Sequence, residues 1–338
     1  MAEPVKPLHS ENLTQQDELV IQLNDLVKEY DGHKAVDRLT LSIRRGEIFG
    51  LLGPNGAGKT TTILMMLGLT EPTSGTVRVC GLNATYEPIR VKRKVGYLPD
   101  EVGFYEDMTA LENVLYTAAL NGIAPDEALR RARYLLEQVG LEEQAGNKVR
   151  SFSHGMKRRL GLADVLIKQP EVIILDEPTN GIDPEGVRDL LALIRRLSRQ
   201  EGVTVLLSSH HLHQVQQICD RVGIFVAGRL IAVGDIAALA GQLFADEPLL
   251  FHVEAEPLDD ALLARLKALP SVVRIEQNGP RLSLYCREDA APDIAAAVVA
   301  GGARLHALSR QDYGLDEIYH RYFQGEGGRN DGADGTVH

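Results

Sequence analysis

The run Gly53-Pro54-Asn55-Gly56-Ala57-Gly58-Lys59-Thr60 has the spacing G-x-x-x-x-G-K-[ST]. Its chemistry is phosphate binding. The glycines let backbone N–H groups curl around anionic oxygens, and the helix that follows points its positive end at the same anion. Lys59 supplies a mobile cation for the outer phosphates. The Thr60 hydroxyl is a ligand for Mg²⁺, and Thr61 counts with the loop as a phosphate-side residue. A second group is acidic: the apolar run Val172-Ile173-Ile174-Leu175 closes on Asp176 and Glu177. Carboxylates at the C-terminal end of a strand lie where open α/β sheets bind ligands. In this reading Asp176 holds the Mg²⁺ shell, and Glu177 orients or deprotonates an attacking water. Alone, such a pair is more often a solvated strand cap. Beside a phosphate loop it becomes the second half of a phosphoryl-transfer site.

These groups need strands that end at one edge of a sheet. Glu47 to Leu52 (EIFGLL) is a short apolar run before the glycine loop and reads as a buried strand. Val172–Leu175, Val203–Leu207 and Val222–Val226 read as further buried strands. Leu19–Leu26 and Leu39–Ile43 alternate apolar and polar residues. Helical spacing covers Ala110–Leu120, Asp126–Val139 and Met156–Ile167. Strands alternating with helices predict a mostly parallel sheet. After Gly234–Gly241 the order becomes strand (Leu249–Glu254), helix (Asp259–Leu269), strand (Val272–Glu276), strand (Arg281–Cys286), helix (Pro292–Ala300), strand (Ala303–Leu308) and helix (Leu315–Phe323), with a hairpin turn at Gln277–Pro280. That β-α-β-β-α-β order predicts a small α+β ferredoxin-like domain. The divisions expected are a polar N-terminal tail over 1–17, a main domain over 18–240 with a helical subdomain at about 101–168, a small domain over 241–323, and a disordered polar, glycine-rich tail over 324–338.

Composition narrows the classes. The chain has 338 residues, 44% hydrophobic and 25% charged, ample for a core. Its net charge of -11 and the lack of a basic block argue against nucleic acid as a partner. The three cysteines, Cys80, Cys219 and Cys286, suit neither a disulfide framework nor a metal finger. His210, His211 and His213 lack the spacing of a helical metal pair. No apolar run reaches the roughly 18 residues of a membrane span, and Met1–Gln16 lacks the apolar stretch of a signal peptide.

With these residues in place the chain resembles the ABC ATPase family, over about residues 19–235. The phosphate loop alone also fits kinases, GTPases and other nucleotidases. Phe152-Ser153-His154-Gly155-Met156 narrows the choice, because it looks like the family's signature segment, usually Leu-Ser-Gly-Gly-Gln. The resemblance implies that Ser153 and Gly155 reach the γ-phosphate bound to a partner subunit. Ser153 also suits a helix N-cap, and both roles are compatible. His154 and Met156 depart from the pattern. Asn180-Gly181-Ile182-Asp183 resembles the loop that crosses the dimer interface, and Ser209-His210 the switch histidine that contacts the γ-phosphate and holds Glu177 in line. Tyr30 matches the aromatic residue that stacks on adenine, though a core role also suits it. Where the family carries Gln after Gly-Tyr-x-Pro, this chain carries Asp100 after Gly96-Tyr97-Leu98-Pro99. A carboxylate there still offers Mg²⁺ an oxygen.

The resemblance implies a P-loop NTPase fold of the ABC type, with ATP and Mg²⁺ as cofactors. It also implies a homodimer sandwiching two ATP and integral membrane permease subunits docked near Phe104–Leu120. Location at the cytoplasmic face of the membrane, as a peripheral subunit, follows. The Asp-Glu-Pro-Thr-Asn-Gly-Ile-Asp-Pro run and the Gly-Tyr-Leu-Pro-acid variant look most like exporters of the ABC-2 type. The alternative is a soluble ABC ATPase acting on nucleic acid or ribosomes; such proteins tend to carry paired cassettes, zinc fingers or basic tails, none visible in this sequence. A P-loop kinase would lack the signature segment. The C-terminal domain either binds a regulatory small molecule or braces the dimer, and no cluster of convergent polar groups favours the first.

Overall fold

The computed structural model describes residues 19–245, 247–279, 281–311 and 314–330, the stretch from 323 onward by its backbone alone. The expected tail over 1–17 lies outside the described residues. Contacts divide the chain after Ile236 into two compact units.

The first unit opens with β1 (Leu19–Tyr30) and β2 (His33–Arg44). The turn between them is Asp31-Gly32, both with positive φ (48° and 82°). A two-residue turn of this kind joins antiparallel strands. These strands therefore leave the parallel sheet and build their own, in the order β2-β1-β4-β5, with β4 (Ser74–Val79) and β5 (Leu82–Asn83). The main sheet has the order β10-β9-β3-β8-β7-β6. It holds β3 (Ile48–Leu52), β6 (Val95–Leu98), β7 (Val172–Asp176), β8 (Thr204–Ser209), β9 (Arg221–Val226) and β10 (Arg229–Gly234). All its pairings are parallel except β9 with β10. Every residue of β3, β7 and β8 is buried, as central parallel strands require.

The helices of this unit are α1 (Lys59–Met66), α2 (Pro88–Lys94), α3 (Ala110–Leu120), α4 (Pro125–Gln138), α5 (His154–Leu166), α6 (Pro184–Glu201) and α7 (Leu212–Ile218). Thr109 and Glu112 form a reciprocal capping box that starts α3. In α4, Pro125 occupies the first turn, and Ala128, Ala132, Leu135 and Leu136 form one buried stripe. The main core packs Ile21, Leu23 and Ile43 of the antiparallel sheet with Ile63 and Met66 of α1 and Phe49, Ile174 and Leu206 of the main sheet. Each such side chain contributes about 1.5–3 kcal/mol by leaving water. This wedge fixes α1, and with it the phosphate loop, between the sheets.

The second unit contains all but the first residue of α8 (Ile236–Leu243), then β11 (Leu249–Glu256), α9 (Asp260–Lys267), β12 (Val272–Asn278), β13 (Arg281–Cys286), α10 (Ala291–Ala300), β14 (Arg304–Arg310) and α11 (Leu315–Asn330). Its strands lie in the order β12-β13-β11-β14, all antiparallel. The β-α-β-β-α-β order of β11 to β14 is the order read from the sequence. Its core combines Phe251, Val253, Leu266, Leu282, Leu284 and Ile294. One expectation is corrected: residues 324–330, read as disordered tail, continue the backbone of α11. Leu315 and Ile318 are fully buried and anchor the helix start, and each added residue then gains one hydrogen bond. Residues 331–338 lie outside the described chain.

Candidate active site

The phosphate loop connects β3 to α1 and lies within a cleft of about 350 Å³. The glycines are sterically required at two points. A Cβ on Gly53 would stand 2.5 Å from the Phe225 carbonyl oxygen, and one on Gly58, at φ 102°, would stand 2.3 Å from that of Ala35. Asn55, Gly56, Ala57, Gly58, Lys59, Thr60 and Thr61 line the cleft, joined by Asp100, Asp176, Glu177 and Ala35 of β2. Pro54 borders it through its carbonyl, which accepts from Lys59 Nζ at 3.2 Å. That ammonium also donates to the Gly53 carbonyl at 2.7 Å and lies 3.6 Å from Glu177 Oε1. A phosphate entering the cleft meets a lysine already pinned at the loop's centre.

The parallel pairing of β7 with β8 builds the acidic side. Asp176 sits opposite Ser208. The Ser208 hydroxyl donates to Asp176 Oδ1 and accepts from the Glu177 N–H at 3.1 Å. Thr60 Oγ1 donates to Asp176 Oδ2 at 3.1 Å. Glu177 is held at φ 48°, a strained backbone for a non-glycine residue, and its side chain is turned into the site. Its Oε2 accepts from His210 Nδ1 at 2.9 Å. Its Oε1 is buried and has no hydrogen-bond partner. The His210 ring lies 3.9 Å from the His211 ring. Burial, and then the neighbouring His210, hold the His211 pKa below the usual range.

The donor set fits Mg²⁺. Thr60 and Asp176 offer hard oxygens side by side, and the unbonded Glu177 Oε1 faces the same cleft. No group of three His, Cys, Asp or Glu side chains converges for a metal among the described residues. Phosphate oxygens and water must therefore complete any Mg²⁺ shell.

Three expected residues stand apart from this cluster. Ser153 caps α5, its hydroxyl accepting from the Met156 N–H at 3.3 Å. Ser153 and Gly155 do not line the cleft that holds Lys59 of the same chain. A Cβ on Gly155 would meet only Ile182, at an ordinary 3.6 Å, so nothing inside the chain forces glycine there. Tyr30 ends β1, is 46% exposed, and carries Lys28 Nζ 4.7 Å above its ring. Asp100 does line the cleft, but its Oδ1 accepts from Arg158 and Asn180. Ser208 and Arg158 were not anticipated. A Ser-Ser pair closing an apolar strand beside the acidic one was the available signal for Ser208.

A second cleft, of about 310 Å³, lies between β6 and the helical subdomain, lined by Tyr105, Tyr116, Leu120 and Asp164 among others. Tyr105 and Tyr116 pack edge to face at 5.1 Å and remain exposed, as does Leu120. Asp164 Oδ1 is buried without a hydrogen-bond partner. Desolvation raises its pKa from 3.8 to about 6, against the lowering effect of a Thr117 hydrogen bond and Lys168. The native state therefore holds this proton where the unfolded chain has lost it. Stability falls as pH rises from about 4 to 6, and the loss is complete above that window. Asp164→Asn carries no such burial cost of charge and stabilises the protein at pH 7.5 by about 3 kcal/mol. Thermal unfolding at pH 4.5 and 7.5 checks this; an equal gain at both values would contradict it.

The comparisons agree with this geometry. The family model for "ABC transporter" matches residues 36–180. The Linearmycin resistance ATP-binding protein LnrL of Bacillus subtilis (strain 168) is 34% identical over 304 residues, 89% of this chain and 97% of the relative. The Nod factor export ATP-binding protein I of Cupriavidus metallidurans is 37% identical over 289 residues, 85% of this chain and 93% of the relative. A solved structure of the ATP-binding subunit of an ABC transporter superposes with a TM-score of 0.61 at 31% identity, covering 66% of this chain and 92% of that one. Likeness over nearly the whole of these relatives places the chain in the family of ABC transporter ATP-binding proteins, and the loop and acids of its cleft, with the histidine bonded to Glu177, belong to an ATPase.

Proposed function

We propose that this chain powers export through separate membrane subunits by hydrolysing ATP between two copies of itself. The observation that carries the hydrolytic reading is Glu177. Its Oε1 is buried and unbonded beside Lys59, while His210 fixes its other oxygen. A carboxylate so placed takes a proton from water. His210 orients it. Lys59 and the loop N–H groups hold the β- and γ-phosphates, and Thr60 and Asp176 hold the metal. Mg²⁺, when bound, neutralises charge on the phosphate oxygens. Tyr30 stacks on adenine from the exposed end of β1. Ser153 and Gly155 act on the γ-phosphate held by the other copy; their absence from their own cleft supports this.

Relatives named for linearmycin resistance and Nod factor export support the export direction. No helix among the described residues is long and apolar enough to cross a membrane. In this reading the translocation path belongs to other polypeptides, with this chain peripheral at the cytoplasmic face. The exposed Tyr105, Tyr116 and Leu120 around the second cleft are the proposed docking surface. The small domain braces the pair. Affinity capture of the full chain from detergent-solubilised membranes tests the assembly. The expected result is a polytopic membrane protein that alters phosphate release on binding. Capture of ribosomes or RNA in its place would overturn the transport reading.

A further inference from the structure

Arg158, in the second turn of α5, is 1% exposed and among the largest fully buried side chains. A guanidinium keeps its charge when buried, so it needs acceptors. Two hydrogen bonds serve it. Nη1 donates to the Pro99 carbonyl at 2.6 Å and Nη2 to Asp100 Oδ1 at 2.9 Å; Nε is buried without a partner. Asp100 is thus the anion that balances a cation inside the protein, although half of its own side chain remains exposed.

The same carboxylate oxygen also accepts from Asn180 Nδ2 at 3.2 Å. Asn180 follows the active-site strand, and its N–H donates to the Glu177 carbonyl at 3.2 Å. Its own carbonyl accepts from His154 Nε2 at 2.9 Å. His154 and Arg158 lie on one face of α5, one turn apart, just beyond Ser153. One oxygen of Asp100 therefore ties together the loop after β6, the start of α5 and the loop that carries Glu177. Two of the departures from the family's usual residues, Asp100 and His154, fall in this network.

We propose that Asp100 and Arg158 are positioning residues that act as a pair: the charge of Asp100 is committed to Arg158, and through it to the placement of Ser153, Gly155 and Glu177, rather than to a metal. This replaces the expectation that Asp100 stands in as the Mg²⁺ oxygen. It rests on the ATPase reading for its effect on turnover, but not for the pairing itself. The consequence is specific. Restoring the family's usual Gln at position 100 is harmful alone, because it strands a buried cation. It is tolerated once Arg158 is also made neutral.

The test is a double-mutant cycle of Asp100→Gln, Arg158→Gln and the two combined, with Asp100→Asn as the variant of least change in shape. Thermal midpoints are measured without nucleotide, and phosphate release and its Mg²⁺ half-saturation below the lowest midpoint. Each single variant is expected to lower the midpoint by roughly 5 °C or more and turnover by about tenfold. The double variant recovers most of both, while the Mg²⁺ half-saturation stays put. Additive midpoint losses would overturn the pairing, in Asp100→Asn as in Asp100→Gln. Coupled midpoints with unchanged turnover would overturn the positioning role. A raised Mg²⁺ requirement in Asp100→Gln with an unchanged midpoint would return Asp100 to the metal. Failure of the unmodified protein to hydrolyse ATP would sink the ATPase reading and leave the midpoint cycle as a separate result.

Discussion

Glu177→Gln lowers phosphate release by ~10²–10⁴-fold while ATP still binds. The amide keeps the size of the carboxylate and one accepting oxygen. It can still accept from His210 Nδ1, so the turn at φ 48° and the pairing of β7 with β8 have no reason to change. The phosphate loop is untouched, since Lys59 donates its two hydrogen bonds to the Gly53 and Pro54 carbonyls and lies 3.6 Å from Glu177. What is lost is the ability to receive a proton. Lys59 also loses a neighbouring negative charge, which favours the phosphates and should tighten ATP binding. Steady-state phosphate release and nucleotide titration separate these effects. Turnover near that of the unmodified protein would remove Glu177 from the role of base. Loss of binding along with turnover would make it a structural residue.

Much of the site was legible because it is local. The phosphate loop lies within eight consecutive residues, and strand, loop and helix follow from an apolar run, three glycines and a Lys-Thr start. The acidic pair is equally local to β7. What sequence could not supply is the register between strands. Ser208 becomes a ligand of Asp176 only because β7 and β8 pair with these residues opposite. Arg158 is the middle of three consecutive basic residues on α5, with nothing in the sequence to single it out, yet it is buried and bonded to Asp100, from the loop after β6. Some elements were missed despite clear signals. The helix α6 has Asp183 as N-cap, Pro184 in its first turn and Gly202 at φ 70° as its stop. The strands β4, β5 and β10 are short or partly exposed, and their alternation is faint. The division of strands between two sheets follows from the Asp31-Gly32 turn, which lies in the sequence between the two expected strands, Leu19–Leu26 and Leu39–Ile43, and was not itself read as a turn.

In the proposed arrangement one ATP is served by two chains, Lys59 from one and Ser153 from the other. Lys59→Ala removes the cation at the loop's centre, where it is 6% exposed. Ser153→Arg places a bulky charge at the cap of α5, where the short hydroxyl now accepts from the Met156 N–H. Each variant alone carries its defect into both sites of its dimer and should be nearly inactive. In a mixed dimer the defects sort: one site receives both and the other neither. The intact site draws Lys59 from the Ser153→Arg chain and Ser153 from the Lys59→Ala chain. Mixing two inactive, folded and exchanging variants is the direct measurement, read by cross-linking of the ATP-bound dimer and by phosphate release. Mixing is expected to restore the cross-linked dimer and, where one site suffices, part of the hydrolysis. If neither returns while subunits demonstrably exchange, Ser153 does not act across the interface, and each chain must work alone.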